Sequence, residues 1–224
     1  MKTIISVIML LMMTSLSYAN DIYVTQSGAS LDLDITQDGE NNTVGNSTTA
    51  STSTGATTIL NIDQIGDSNV ITYQINGATY TGVINLVGNS NNVDLNCDST
   101  GGNSSCGSAN AVINFTGSSN DIDLDIGQTS SATSADVDIV GQTGSDSNVV
   151  AATVDGNSAV LTITINGDTN NYLIDIDGNG DVNGHTLIHS HTGGIADVDI
   201  VQSGTNDNMI TLTTSGDNAD IDIS

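Results

Sequence analysis

Glycine recurs along this chain at a spacing that an ordinary globular fold does not require. Gly66, Gly77 and Gly88 stand 11 residues apart, and each closes a short run in which apolar and polar residues alternate. The same punctuation falls at Gly28, Gly39, Gly117, Gly144, Gly156, Gly167, Gly178, Gly204 and Gly216. Gaps of 11 or 12 residues mix with gaps of 26 to 29, which read as two units plus an insertion. Self-similarity at a fixed short period is the signature of a repeat architecture.

Within a unit the runs are LDLDI, ILNID, VITYQI, DIDLDI, VLTITI and ADIDI. Strict alternation predicts a strand with one buried and one wet face. Helix is disfavoured by the β-branched residues and by Gly and Asn at every boundary. The Gly-x-x-Asn segment is read as the turn, because Gly and Asn tolerate positive φ. One strand–turn–strand cannot bury its apolar face alone, whereas stacked copies can. The expectation is therefore an all-β, stacked β-solenoid with two short strands per coil of about 22 residues and about eight coils. At ~4.8 Å per coil its body would be ~40 Å long. A sandwich or an up-and-down barrel is the structural alternative. It is disfavoured because those folds need large, varied apolar cores, and the units here are small and nearly alike.

Four stretches rich in Ser, Thr, Gly, Asn or His read as enlarged turns: those near 45–57, 97–109, 129–135 and 179–194. Residues 1–19 read as a secretory signal peptide, with Lys2 ahead of the apolar run Ile4 to Met13 and a small-x-small site at Ser17-Tyr18-Ala19. The apolar run is too short to span a membrane, and no transmembrane segment is expected elsewhere. The repeat domain is then 20–224, on a chain expected to be secreted to the cell surface or beyond it.

Lys2 is the only Lys or Arg, against 26 acidic residues. A chain without cations outside its leader cannot neutralise phosphates, which excludes nucleic acid as a partner. It also forms no Lys/Arg–carboxylate salt bridge. Cys97 and Cys106 lie close together in one Gly/Ser stretch, and in an oxidising compartment they are disulfide candidates; the alternative is two unpaired thiols.

Two units carry more than the period. In 58-TILNIDQIGDSNVITYQ-74 the residues Gln64, Gly66 and Asn69 sit in register with Leu60, Ile62 and Ile71. In 31-LDLDITQDGENNTV-44 the equivalents are Gln37, Gly39, Asn42, Leu33, Ile35 and Val44. These units resemble the curlin repeat, Ser-x5-Gln-x-Gly-x-x-Asn-x5-Gln, and Gln26-Ser-Gly28 and Gln202-Ser-Gly204 carry half of it. The resemblance implies a curli fibre subunit: a homopolymer of stacked β-solenoids, exported by an outer-membrane secretion apparatus, started by a nucleator subunit, and serving adhesion and biofilm matrix. It also implies that inward amides hydrogen-bond along the fibre axis and that unpaired end strands template the next copy. Elsewhere Gln gives way to Leu86, Phe115, Val154, Ile165, Ile176 and Thr214, and Gln142 and Asn148 stand one residue out of register. Mostly aliphatic inner columns with few amide ladders are therefore expected.

Other chemistry is weighed against plainer readings. Aspartates alternate with apolar residues, as in Asp121, Asp123 and Asp125 or Asp197 and Asp199, and should line the wet face. They read as solubilising gatekeepers; the sharper reading is that Ca²⁺ bridges their columns, although no cofactor is required. Asp175, Asp177, Asn179 and Asn183 match the spacing of a Ca²⁺ loop, but Thr186 stands where the last acid belongs, and an Asp/Asn/Gly turn explains the stretch equally. His185, His189 and His191 share parity, so a transition-metal site with Asp197 or Asp199 competes with a plain polar strand beside a turn. No constellation points to an enzyme. The Thr162/Thr164 and Thr211/Thr213 pairs would suit ice binding only as part of a larger array. The competing functional reading is a monomeric, acidic, secreted or surface-attached β-solenoid binding module: an adhesin, cation binder or ice binder.

Overall fold

The structure is a computed structural model that describes residues 21–39, 42–45, 48–66, 68–97, 106–127, 134–156, 158–177, 184–204 and 208–224. The expected signal peptide, Asn179 and Asn183 lie outside those residues. Seventeen strands follow one another, and among the described residues there is no helix. They are β1 (Asp21–Ile22), β2 (Thr25–Ser27), β3 (Ser30–Asp38), β4 (Thr43–Val44), β5 (Ser51–Ile65), β6 (Val70–Val87), β7 (Asn92–Cys97), β8 (Ser108–Thr116) and β9 (Asp121–Ile126). Then come β10 (Ser134–Gly141), β11 (Val149–Asp155), β12 (Ala159–Asn166), β13 (Asn170–Asp177), β14 (Thr186–Thr192), β15 (Ile195–Gln202), β16 (Met209–Ser215) and β17 (Asn218–Ile223).

Every pairing is parallel and joins a strand to the one a full coil later. One sheet stacks β1, β4, the first half of β6, β7, β9, β11, β13, β15 and β17. The other stacks β3, the second halves of β5 and β6, β8, β10, β12, β14 and β16. The chain is thus a β-solenoid of two sheets, as the period predicts. The register advances 22 residues from Val70 to Asn92 and 29 from Asn92 to Asp121, so coils of unequal length share one stack.

Alternation decides which side chains face inward, because successive residues of a strand point to opposite faces. Along β8 the pattern is buried at Ala109, Ala111, Ile113 and Phe115 and open between them. Parallel register then gathers like residues into columns. Ile35, Ile62, Ile84, Ile113, Ile139 and Ile163 form one such column down the second sheet, with His189 and Leu212 at its foot. All six isoleucines are buried, each worth about 1.5–3 kcal/mol over exposure.

The enlarged turns need correction. Of 45–57, residues 51–57 belong to β5, with Ser51 and Ser53 fully buried. Serine and threonine read as loop there, but a parallel neighbour on each side, Thr25 against Thr52 and Thr52 against Gln74, holds the stretch extended. Of 179–194, residues 186–192 are β14, paired with β12 and β16. Cys97, Ser108, Ala109, Ser134 and Ala135 likewise belong to strands, and the remainder of 97–109 and 129–135 lies largely outside the described residues.

Candidate functional site

The dominant polar feature is a ladder of buried asparagines at one arc of the coil. Asn42, Asn69, Asn91, Asn120, Asn148 and Asn170 are each at most 2% exposed. The backbone N–H of each donates to the side-chain Oδ1 of the next: Asn42 to Asn69 at 3.1 Å, Asn69 to Asn91 at 2.9 Å, Asn91 to Asn120 at 3.0 Å, Asn120 to Asn148 at 2.8 Å and Asn148 to Asn170 at 2.9 Å. The Nδ2 groups of Asn42, Asn69, Asn120 and Asn170 turn back on the arc: Asn69 donates to the Gly66 carbonyl at 2.8 Å and Asn120 to that of Gly117 at 3.0 Å. One side chain so satisfies an arc carbonyl of its own coil and the backbone N–H of the preceding coil's asparagine, groups that would otherwise go unpaired.

This corrects two expectations. The asparagine does not supply the positive φ of the turn. The residue before it does: Ser68, Ser90, Ser119, Ser147 and Thr169 have φ between 55° and 64°. Gly66, three residues before Asn69, has φ 133°, an extreme that a side chain would oppose. Nor is Asn148 out of register. Its arc carries two more residues than the neighbouring arcs, from Gly141 to Asn148 against Ile165 to Asn170, and still delivers the amide to the column. Amide ladders are therefore not few, although glutamine contributes little. Gln64 donates to Gln37 Oε1 at 2.7 Å, and the column then passes to Leu86, Phe115, Gly141 and Ile165. Gln142 is exposed.

The aspartates line the outer faces as expected, and several receive a hydrogen bond from an asparagine on an adjacent coil. Asn61 donates to Asp34 at 2.7 Å, Asn85 to Asp63 at 2.6 Å and Asn96 to Asp125 at 3.4 Å. A column neighbour that is an amide instead of a second carboxylate avoids the like-charge opposition that destabilises a sheet. Asp94 and Asp123 are direct neighbours without that relief. Partial burial raises both carboxyl groups above their usual range, and for Asp123 the charges of Asp125, Asp94 and Asp121 add to it.

The metal candidates do not converge. Asp175 and Asp177 lie in the extended strand β13, not in a loop. Asp197 is exposed on the outer face of β15, whereas His185, His189 and His191 are buried inside the coil. Among the described residues no group of three or more His, Cys, Asp or Glu is placed to hold a metal ion. The histidines instead meet Tyr172, whose hydroxyl lies 2.8 Å from His191 Nδ1 and whose ring packs edge-on to His189 at 4.4 Å. Burial lowers both imidazoles, His189 to about 4, with its neighbour His191 adding to the effect. Cys97 and Cys106 form a disulfide and are fully buried, so the bridge ties the end of β7 to the approach of β8.

The last coil has a different character. Ile221 pairs with Val198 and Ile223 with Ile200, both buried, yet Ile221 is 37% and Ile223 53% exposed. At the other end Ile22, Val24, Leu31 and Leu33 are only half covered. Among the described residues no helix is long and apolar enough to cross a membrane. Comparison of the chain with protein-family models, with curated proteins and with solved structures finds no match.

Proposed function

We propose that this chain is the structural subunit of an extracellular, curli-like fibre, in which β17 of one copy receives the first coil of the next. The observation that carries the reading is the uncovered end of the inner columns at Ile221 and Ile223. Burying such positions is what each interior coil gains from its neighbour, and a second copy offers the same parallel edge in the same register. The outer faces, acidic and free of Lys and Arg, repel lateral contact and leave the ends as the adhesive surfaces. The fibre would serve adhesion and biofilm matrix, with a secretion apparatus and a nucleator as its partners.

The test follows thioflavin T fluorescence and electron microscopy of purified, disaggregated protein, alongside the variant Ile221→Asp/Ile223→Asp. Self-seeding fibres with a cross-β reflection, lost in the variant while its monomer keeps its β-structure, are expected. A wild-type monomer that stays β-rich and fibre-free for days would shift the function to the monomeric binding module.

A further inference from the structure

Three buried imidazoles cluster in one coil, and one of them, His189, sits where six coils place isoleucine. His189 continues the isoleucine column, between Ile163 and Leu212, and His191 follows Ile165 in the adjacent one. His185 is fully buried and accepts the Ala159 backbone N–H at Nδ1. Both ring nitrogens of His189, Nε2 of His185 and Nε2 of His191 have no hydrogen-bond partner. A neutral imidazole tolerates such a site at modest cost, whereas an imidazolium without a counter-ion or water does not.

What covers these rings is thin. β16 lies directly over β14, with Leu212 on His189 and Thr214 on His191. Residues of β16 that face inward are only half buried, and all of β17 is exposed. The titratable groups facing the imidazoles are few. β12 presents Ile163 and Ile165, β16 presents Leu212 and Thr214, and β15 turns Val198 and Ile200 inward. From β13 comes Tyr172, which burial keeps protonated and neutral, and from the adjoining arc Asp168, whose charge favours His191 protonation.

We propose that the histidines of β14 make the C-terminal end of the solenoid an acid-sensitive joint: on mild acidification their protonation releases β16 and β17, while the isoleucine-filled coils before them stay closed. The inference rests on the monomer and does not depend on fibre formation. The direction follows from linkage. Groups held neutral in the fold and free to protonate when released favour release as pH falls below the ordinary histidine range. Few carboxylates protonate at pH 5, which separates this joint from the acidic faces.

The experiment is amide hydrogen exchange on freshly prepared monomer at pH 7 and pH 5, expressed as protection over intrinsic rates. In the wild type, β14, β16 and β17 are expected to lose protection by roughly tenfold or more, one unit of pH mismatch being worth a factor of ten. Strands β5, β6 and β8 should be unchanged. In His189→Ile/His191→Ile, which places in both columns the residue that the preceding coil uses there, Ile163 and Ile165, protection of β16 and β17 should hold at pH 5. Loss spread evenly over all coils, equal loss in the double variant, or no loss in the wild type would overturn the proposal. An NMR titration of the wild-type imidazoles guards against a variant that fails to fold: His189 must titrate below the ordinary range, and a normal midpoint with β16 protected would refute the joint.

Discussion

The ring of Phe115 occupies the room that Gly141 leaves. The two are register partners on adjacent coils, and a Cβ built on Gly141 would come within 2.8 Å of Phe115 Cζ and 3.0 Å of Ile165 Cγ2. A large residue thus stacks on the smallest, which keeps the inner column filled without swelling the coil. Gly141→Val should destabilise by about 1–3 kcal/mol through overpacking, read as a lower urea midpoint. Combining it with Phe115→Ala should recover part of the loss, the signature of a shared volume.

Asn120 stands mid-ladder, accepting from Asn91 and donating to the Gly117 carbonyl. Asn120→Ala leaves the buried Asn91 N–H and the part-buried Gly117 carbonyl unpaired, which should cost about 2–6 kcal/mol at 1–3 kcal/mol per orphaned group. Because solenoid coils stabilise only their neighbours, exchange protection should fall around β7, β9 and β11 and much less at β3. An equal loss at both ends would contradict a local ladder.

The Cys97–Cys106 bridge closes a short loop at sequence separation 9. Loop-closure entropy puts its worth at about 2–3 kcal/mol. Cys97→Ala/Cys106→Ala should therefore remain folded at neutral pH, with a lower urea midpoint and no change in the circular dichroism of the sheets. Global unfolding would mean that the bridge holds more than one arc.

Asp94 and Asp123 face each other as register partners on adjacent coils. Their carboxyl groups titrate higher in the fold than in the unfolded chain. Their contribution is thus fully present below the unfolded carboxylate range, near pH 4, and is lost as pH rises through their folded values. Asp94→Asn should raise stability at pH 7 by a few tenths of a kcal/mol, the scale of an exposed cross-strand pair, and should remove part of the gain on acidification. The histidines act in the opposite sense and over a different window, from the ordinary histidine range down to about 4 for His189. Wild-type stability should hence fall first between pH 6.5 and 5, histidine's usual titration range. A monotonic rise with acidification would refute the pair of assignments.

The period and parity of the chain made the solenoid legible, since both follow from one-dimensional spacing. Gln37, Gln64, Asn42 and Asn69 were legible as inward amides for the same reason. What escaped was anything set by three-dimensional register. Asn148 looks displaced because an arc absorbs two residues, which shows only when coils are stacked. Residues 51–57 look like a loop because serine and threonine carry no strand signal of their own, and parallel neighbours supply it. The burial of His189 was encoded in the isoleucine column above it, but that column exists only after the coil lengths are known.

Those unequal coil lengths have an order. From the second sheet back to the first the passage is short almost everywhere, four residues between Ile65 and Val70 with Gly66 and the ladder asparagine Asn69 among them, whereas the strand ends Cys97 and Ser108, Ile126 and Ser134, and Asp177 and Thr186, on the opposite edge, are separated by longer stretches of sequence. One edge of the molecule is a hinge-like seam of fixed gauge, and the other is a margin on which sequence can be added without disturbing the text beside it. A peptide spliced between Cys97 and Cys106 would emerge at a defined height along the stack, and in a polymer it would be repeated at every subunit, turning the acidic body into a regularly spaced display rack.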